Sequence, residues 1–343
     1  MYLWSVVLEL ILWRVHGARA SSPGQGLAGW FVVTEESSKL SRRRILRAGA
    51  LAMVAVPLAA ACSTGYDESP DPLVPLLEQA KSDAAAATTL AGSSPKDAAA
   101  AQEVADARTA HAEALQSEVD RLNRPKGSNP VSPASFAPDL AGLKQRLADA
   151  RKQAEGMVGA QPRYRASLLA SIAAGCAGLQ RIAPGLDVTE TAAALDAPTS
   201  ATLPAETVNA LQQALAAEHA AIWTYGLVSA YLPADYTKAV TEGAAEHVTR
   251  RDFCERVLTS AGATPVSPEA AYVPPNPVSD AVSAKAVVAT AESDTTTAWH
   301  AVVGSTDDAV LRTTATRAFI ASARRGTPWR MEAGEKPAAV ALP

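Results

Sequence analysis

Two glutamates and a histidine, set in alanine-rich stretches, are the residues of this chain best placed to do chemistry. Glu218 lies in Ala216-Ala217-Glu218-His219-Ala220, where Val208, Leu211, Leu215, Ile222 and Val228 mark one face at helical spacing. His247 follows Glu242 and Glu246 in a second helical stretch, and Glu292 precedes Trp299-His300 in a third. An acid pointing into a helical bundle is costly unless a donor, a cation or a metal meets it. All three positions fall near mid-helix, so antiparallel neighbours would bring them to one level. There they could hold a single Fe, Mn or Zn ion with an open coordination position. The other reading is a satisfied polar cluster in which Glu218 and Glu292 pair with His247, Arg250 or an arginine of the last helix.

Other chemistries find little support. No serine, cysteine or histidine constellation suggests a nucleophile, and no glycine loop suits a phosphate, so no catalytic or organic-cofactor residues are assigned. A net charge of −4 without a basic stripe argues against nucleic acid as a partner. Three cysteines, Cys62, Cys176 and Cys254, are too scattered for a disulfide framework or a thiolate metal site, and the latter two read as buried apolar residues. Arg250-Arg251 reads as a solvated or salt-bridged face with Asp252 and Glu255. His219 is expected to face solvent or to be a minor partner, and His300 to pack near a helix end.

The elements that must position these groups read as helices from Pro72 onward. Spacing and punctuation predict helices over 72–91, 95–123, 138–158 and 163–182. After a Thr/Ala/Pro-rich linker they resume over 204–232, 234–260, 278–303 and 307–325. No stretch alternates with period two, so no strand is expected.

The two sets of four look like copies. Pro130-Val131-Ser132-Pro133 recurs as Pro265-Val266-Ser267-Pro268, a spacing of 135 residues. At that spacing Asp83 overlays Glu218, and His111 and Asp149 give the first half a fainter version of the candidate site, read as scaffold. In each half the long Pro-rich connection falls between the second and third helices, which is the ferritin-like topology. The expected fold is therefore all-α: two tandem ferritin-like four-helix bundles.

Glu218-His219, Glu246-His247-Val248-Thr249-Arg250-Arg251-Asp252, the loop Tyr272-Val273-Pro274-Pro275-Asn276-Pro277-Val278 and Glu292 carry a resemblance. Over about 204–330 the chain resembles the ferritin-like domains of unknown function in actinobacterial exported lipoproteins. The resemblance implies a fold and assigns no activity. Against a di-metal site, which takes a Glu from two helices and Glu-x-x-His from the other two, the departures are clear. Ala245 and Thr249 stand where histidines would follow Glu242 and Glu246. The last helix, lacking a carboxylate after Asp308, carries Arg312, Arg317, Arg324 and Arg325. A full di-iron centre is disfavoured.

Upstream, Ser41-Arg42-Arg43-Arg44 precedes an apolar run ending in Ala59-Ala60-Ala61-Cys62. Paired arginines, Arg42 and Arg43, resemble a twin-arginine export signal, and the small residues before Cys62 resemble a lipoprotein processing site. Translation is expected to begin near Val32 or Val33. The expected organisation is a leader and signal over 1–61, a tether over 62–71, a degenerate bundle over 72–185, a linker over 186–203, the ferritin-like bundle over 204–330 and a tail over 331–343. These features point to a lipid-anchored protein on the extracytoplasmic face of the cell membrane. Its role would be binding or structural, with an envelope protein as a potential partner, and the alternative is a mononuclear metal or redox protein.

Overall fold

Prolines and aspartates set where the helices begin. Pro162 and Pro204 occupy the positions just before two helices, and Asp139, Asp280 and Asp308 each accept a backbone N–H at another start. Asp280 forms a full capping box with Ser283. A computed structural model describes residues 69–122, 139–189, 194–200, 202–274 and 276–343. Among them run α1 (Val74–Ser93), α2 (Ala98–Leu122), α3 (Leu140–Val158), α4 (Arg163–Leu179), α5 (Ala205–Val228), α6 (Thr237–Ser260), α7 (Ala281–Ser305) and α8 (Ala309–Glu332). Short 3₁₀ turns sit at Pro184–Leu186 and Ala234–Tyr236, and there is no strand among the described residues. The protein is all-α. Arg42, Arg43 and Cys62 lie outside the described residues, and no described helix is long and apolar enough to cross a membrane.

The two sets share the packing of the first helix on the second and third and of the third on the fourth, whereas α4 also meets α2 and α8 meets α4. α1 packs on α2 and α3, and α4 packs on α3 and α2; likewise α5 packs on α6 and α7, and α7 on α8. Residues 261–280 make the long connection from α6 to α7. The sets meet where α4 lies against α7 and α8, and Gly65–Pro343 forms one compact unit.

α4 explains how the two sets share a core. From Leu169 to Leu179 every residue is buried, and most are Ala, Gly, Ser or Cys. A helix that is apolar on all sides belongs in an interior, and its small side chains let neighbouring backbones approach closely. The last residues exploit this. The chain turns after α8, buries Ala338 and Ala339, and lays Ala341 along α4. A Cβ on Gly175 would stand 2.0 Å from the Ala341 carbonyl oxygen, so only glycine admits this contact.

α8 runs seven residues past its expected end at Arg325, through Gly326 and Pro328 to Glu332. A proline inside a helix forfeits a backbone hydrogen bond. Here the extra turns are held by packing: Trp329 is buried, 5.7 Å from the Tyr236 ring in a stacked pair and 6.4 Å from Tyr225. Gly326 serves close approach, since a Cβ there would lie 3.1 Å from the Glu292 Cβ.

Candidate functional site

Glu218 on α5, His247 on α6 and Glu292 on α7 meet in the interior of the second set of helices, and all three are fully buried. The His247 ring lies between the two carboxylates. Its Nδ1 is 2.5 Å from Glu218 Oε2, and its Nε2 is 3.1 Å from Glu292 Oε1. Two further donors cross between α5 and α7: Trp299 Nε1 donates to Glu218 Oε1 at 2.6 Å, and the Tyr225 hydroxyl donates to Glu292 Oε1 at 2.5 Å. Tyr225 stands seven residues after Glu218, and Trp299 seven after Glu292. Two helical turns separate the members of each pair, so antiparallel helices place each aromatic donor opposite the other helix's acid.

Arginines close the cluster on the α8 side. Arg250 Nη1 donates to Ser322 Oγ at 2.6 Å and lies 3.8 Å from Glu218 Oε1. Arg325 Nη1 is 3.4 Å from Glu292 Oε1, and its Nη2 bonds Glu246, which also accepts from Arg250 Nη2 at 3.2 Å. Burial alone would lower the His247 pKa. The negative charge of Glu292 and the hydrogen bond to Glu218 outweigh that and raise it to about 9. Burial pushes Glu218 up, but the bond and charge of His247, then Arg250 and Trp299, bring it below the usual carboxylate range. Burial and the adjacent Glu292 hold the Tyr225 hydroxyl well above its ordinary value, so it stays a donor. The raised pKa favours an imidazolium ring at His247, held between the Glu218 and Glu292 side chains.

This arrangement does not fit a metal as it stands. Both imidazole nitrogens face carboxylate oxygens, leaving no lone pair for an ion. Among the described residues no group of three or more His, Cys, Asp or Glu is disposed to hold one. Glu292 Oε2 is buried without a hydrogen-bond partner.

The residues named from sequence separate clearly. Arg250, expected either as a partner of Glu218 and Glu292 or on a solvated or salt-bridged face with Arg251, is buried against Glu218 and Ser322. Arg251 does pair with Asp252. His219, expected to be solvent-facing or a minor partner, is buried, with Nε2 3.3 Å from the Val266 carbonyl of the α6–α7 connection. His300 stacks on Phe319. Tyr225, Trp299 and Ser322 were missed as members of the cluster; the seven-residue spacing of the aromatic residues from the two glutamates is the signal that could have found the first two.

In the first set, Asp83 and His111 are both buried, while Asp149 is exposed and accepts from Gln145. Arg146, not Asp149, reaches Asp83 from α3 at 3.0 Å, and Arg108 reaches it from α2 at 3.0 Å. Burial outweighs both arginines and raises the Asp83 pKa. His111 Nδ1 accepts from Arg108 at 2.8 Å, and its Nε2 donates to the Ala341 carbonyl at 2.5 Å. Burial, then the Arg108 charge, push its pKa down to about 3, so this ring is neutral. Where the third helix of the second set brings the acid Glu292, that of the first brings the cation Arg146, while Asp83 and Glu218 are acids alike.

Beside the second cluster lies a groove of about 810 Å³, bounded by α3, the segment after α4, the start of α6 and the outer face of α8. Arg325 and Glu246 line it, so it touches the outer edge of the buried cluster.

Residues 210–343 match a family model described as a domain of unknown function, DUF4439. A solved structure of a conserved hypothetical protein, rv2844, from Mycobacterium tuberculosis is similar: it is 36% identical, the match covers 37% of this chain and 98% of that one, and the TM-score is 0.36. No curated protein matches the chain.

Proposed function

We propose, for a chain whose residues 210–343 belong to the DUF4439 family of unknown function, that it is a lipid-anchored extracytoplasmic protein whose ferritin-like bundles serve as a binding module. One observation carries the binding role. The titratable groups at the centre of the second bundle are engaged with one another, and the place left for a ligand is the groove beside them. The neighbour order of the helices and the long 261–280 connection support the ferritin-like reading. Arg42-Arg43 and Ala59-Ala60-Ala61-Cys62 support twin-arginine export and lipidation. Two acyl chains on Cys62 would suffice for stable anchoring. In cells fed an alkynyl fatty acid, the protein should take up label and sediment with membranes. Cys62→Ala should lose both, and label retained by that variant would overturn the anchor.

The alternative, a single Fe, Mn or Zn ion on Glu218, His247 and Glu292, has one observation in its favour, the unpartnered Glu292 Oε2. It requires His247 to release one carboxylate. Anaerobic loading followed by elemental analysis tests it: about one metal per chain, absent from Glu218→Ala and His247→Ala, would establish that reading in place of the closed cluster.

A further inference from the structure

We propose that the protein stands upright on the bilayer that anchors it. The end formed by the starts of α1, α4, α5 and α8 rests on the lipid headgroups, with Tyr164 and Arg121 in contact with them, and the groove opens at the opposite end. This rests on the lipid anchor proposed above and gives the binding role a direction: the groove takes its ligand from the aqueous side, not from the membrane beneath.

Ion pairs identify the elements that share the anchored end. Asp71, just before α1, is buried; it accepts from the Leu73 N–H at 2.9 Å and from both terminal nitrogens of Arg165 at 3.0 and 2.6 Å. The chain coming from Cys62 therefore enters the fold at the start of α4. Arg165 Nε also donates to Glu118, near the end of α2, at 2.6 Å. Arg163 ties in the starts of α5 and α8 through Glu206 and Asp307. The groove lies toward the other ends of these helices. Asp187 and Thr189 after α4, Asp235 and Tyr236 before α6, and Trp329 and Glu332 at the end of α8 all line it.

Lengths decide between the orientations. Cys62 stands nine positions before Asp71. That length of chain reaches at most about 30 Å and averages roughly 17 Å when flexible. α8 has 24 residues, so its ends are about 36 Å apart. An inverted molecule, with the groove on the lipid, would need a longer tether than the chain supplies. One lying on its side is within reach, and surface chemistry separates it from the upright one. Tyr164, at the start of α4, is 52% exposed, and the Arg121 guanidinium lies 4.7 Å above its ring. The Arg121 side chain is itself half exposed, with Glu118 as its carboxylate partner. An exposed tyrosine with a basic head beside it suits the headgroup layer, where tyrosine collects and long basic side chains reach the phosphates. Glu206 and Asp307 at the same end are both paired with Arg163, which reduces their repulsion of anionic lipid.

The test places the full lipidated chain in vesicles of phosphatidylethanolamine and phosphatidylglycerol that include a lipid with a nitroxide headgroup, a quencher that acts at contact range. Cys176 and Cys254 are buried, so a fluorophore can be attached singly at Asp120→Cys beside the proposed contact, at Val273→Cys on the connection that runs along α5, or at Lys238→Cys near the groove. The label at 120 should lose most of its fluorescence, and those at 273 and 238 should keep theirs. Tyr164→Ala combined with Arg121→Ala should relieve the quenching at 120; quenching that persists would overturn the pair as the contact. Strong quenching at 273 or 238, or at none of the three, would overturn the upright orientation and leave the anchor standing. Protein that fails to float with the vesicles although Cys62 is intact would overturn the anchor, and the orientation with it.

Discussion

Trp299 on α7 donates to Glu218 on α5 at 2.6 Å, while Tyr225 on α5 donates to Glu292 on α7 at 2.5 Å. The two helices are thus strapped twice across one interface, and each strap satisfies an acid that burial would otherwise penalise. Trp299→Phe and Tyr225→Phe keep most of the packing and remove one donor each. Each should cost about 1–3 kcal/mol, as expected when a buried acceptor loses a partner. Urea unfolding of the single and double variants checks this, and the donors belong to one network if the double variant departs from additivity.

His247 holds two buried carboxylates in place. His247→Leu should destabilise by about 3–5 kcal/mol, since both acids would be left without their central cation. Combining it with Glu218→Gln and Glu292→Gln should recover part of the loss. A triple variant no more stable than His247→Leu would show that packing, not charge, sets the effect.

The pH dependence of stability has two opposing limbs. The folded pKa of His247 is raised to about 9, so its contribution is complete below its ordinary value of 6.5 and is lost as pH climbs through about 9. The folded pKa of His111 is lowered to about 3, so its contribution is complete above 6.5 and is lost as pH falls toward about 3. Each limb should amount to a few kcal/mol, on the order of 1.4 kcal/mol per unit of difference between the folded and unfolded states. Unfolding free energies measured across pH 4–9 should fall at both ends. His247→Gln should flatten the alkaline limb and His111→Gln the acid one; a histidine variant with an unchanged profile would remove that residue from the account.

Two glycines are set by close approach. A Cβ at Gly243 would stand 2.4 Å from the Tyr225 ring, and one at Gly175 would stand 2.0 Å from the Ala341 carbonyl. Gly243→Ala should displace Tyr225 from Glu292. The loss should be about 1–3 kcal/mol, in line with overpacked cores. Gly175→Ala should expel residues 338–343 from α4, seen as faster proteolysis of that segment with α1–α3 left intact. Unchanged proteolysis would mean that the segment tolerates the methyl.

Cys176 and Cys254 are buried, and burial raises both thiols above their ordinary range. Iodoacetamide should leave both unmodified in the native protein at pH 8 and alkylate both in urea. Native-state labelling of either would indicate local opening around α4 or α6.

Much of this architecture was legible in the sequence because helices announce themselves locally. Proline starts and glycine ends, together with the apolar spacing, located the eight α-helices of the described residues. Glu218, His247 and Glu292 were legible as a group because an acid on an apolar stripe demands a partner. The nature of that partner was not. Whether His247 lends a nitrogen to an ion or spans two acids depends on ring orientation, which spacing along a helix leaves open. Arg250 stood in two readings, as a partner of Glu218 and on a face with Arg251, and spacing alone left open which of them held; its burial against Glu218 decides between them. The continuation of α8 through Pro328 reflects a contact with Tyr225 and Tyr236 distant in sequence, which no local rule encodes.

The docking of Ala341 on His111 and α4 spans 230 residues of chain. The first four helices are made early, yet part of their interior is supplied by residues made some two hundred positions later. Their packing can therefore reach its final form only after the second set has been synthesised and α8 has delivered its trailing segment. Such long-range closure slows folding and leaves an incomplete surface exposed in the interim. The order in which the chain emerges and the order in which its parts become complete are not the same.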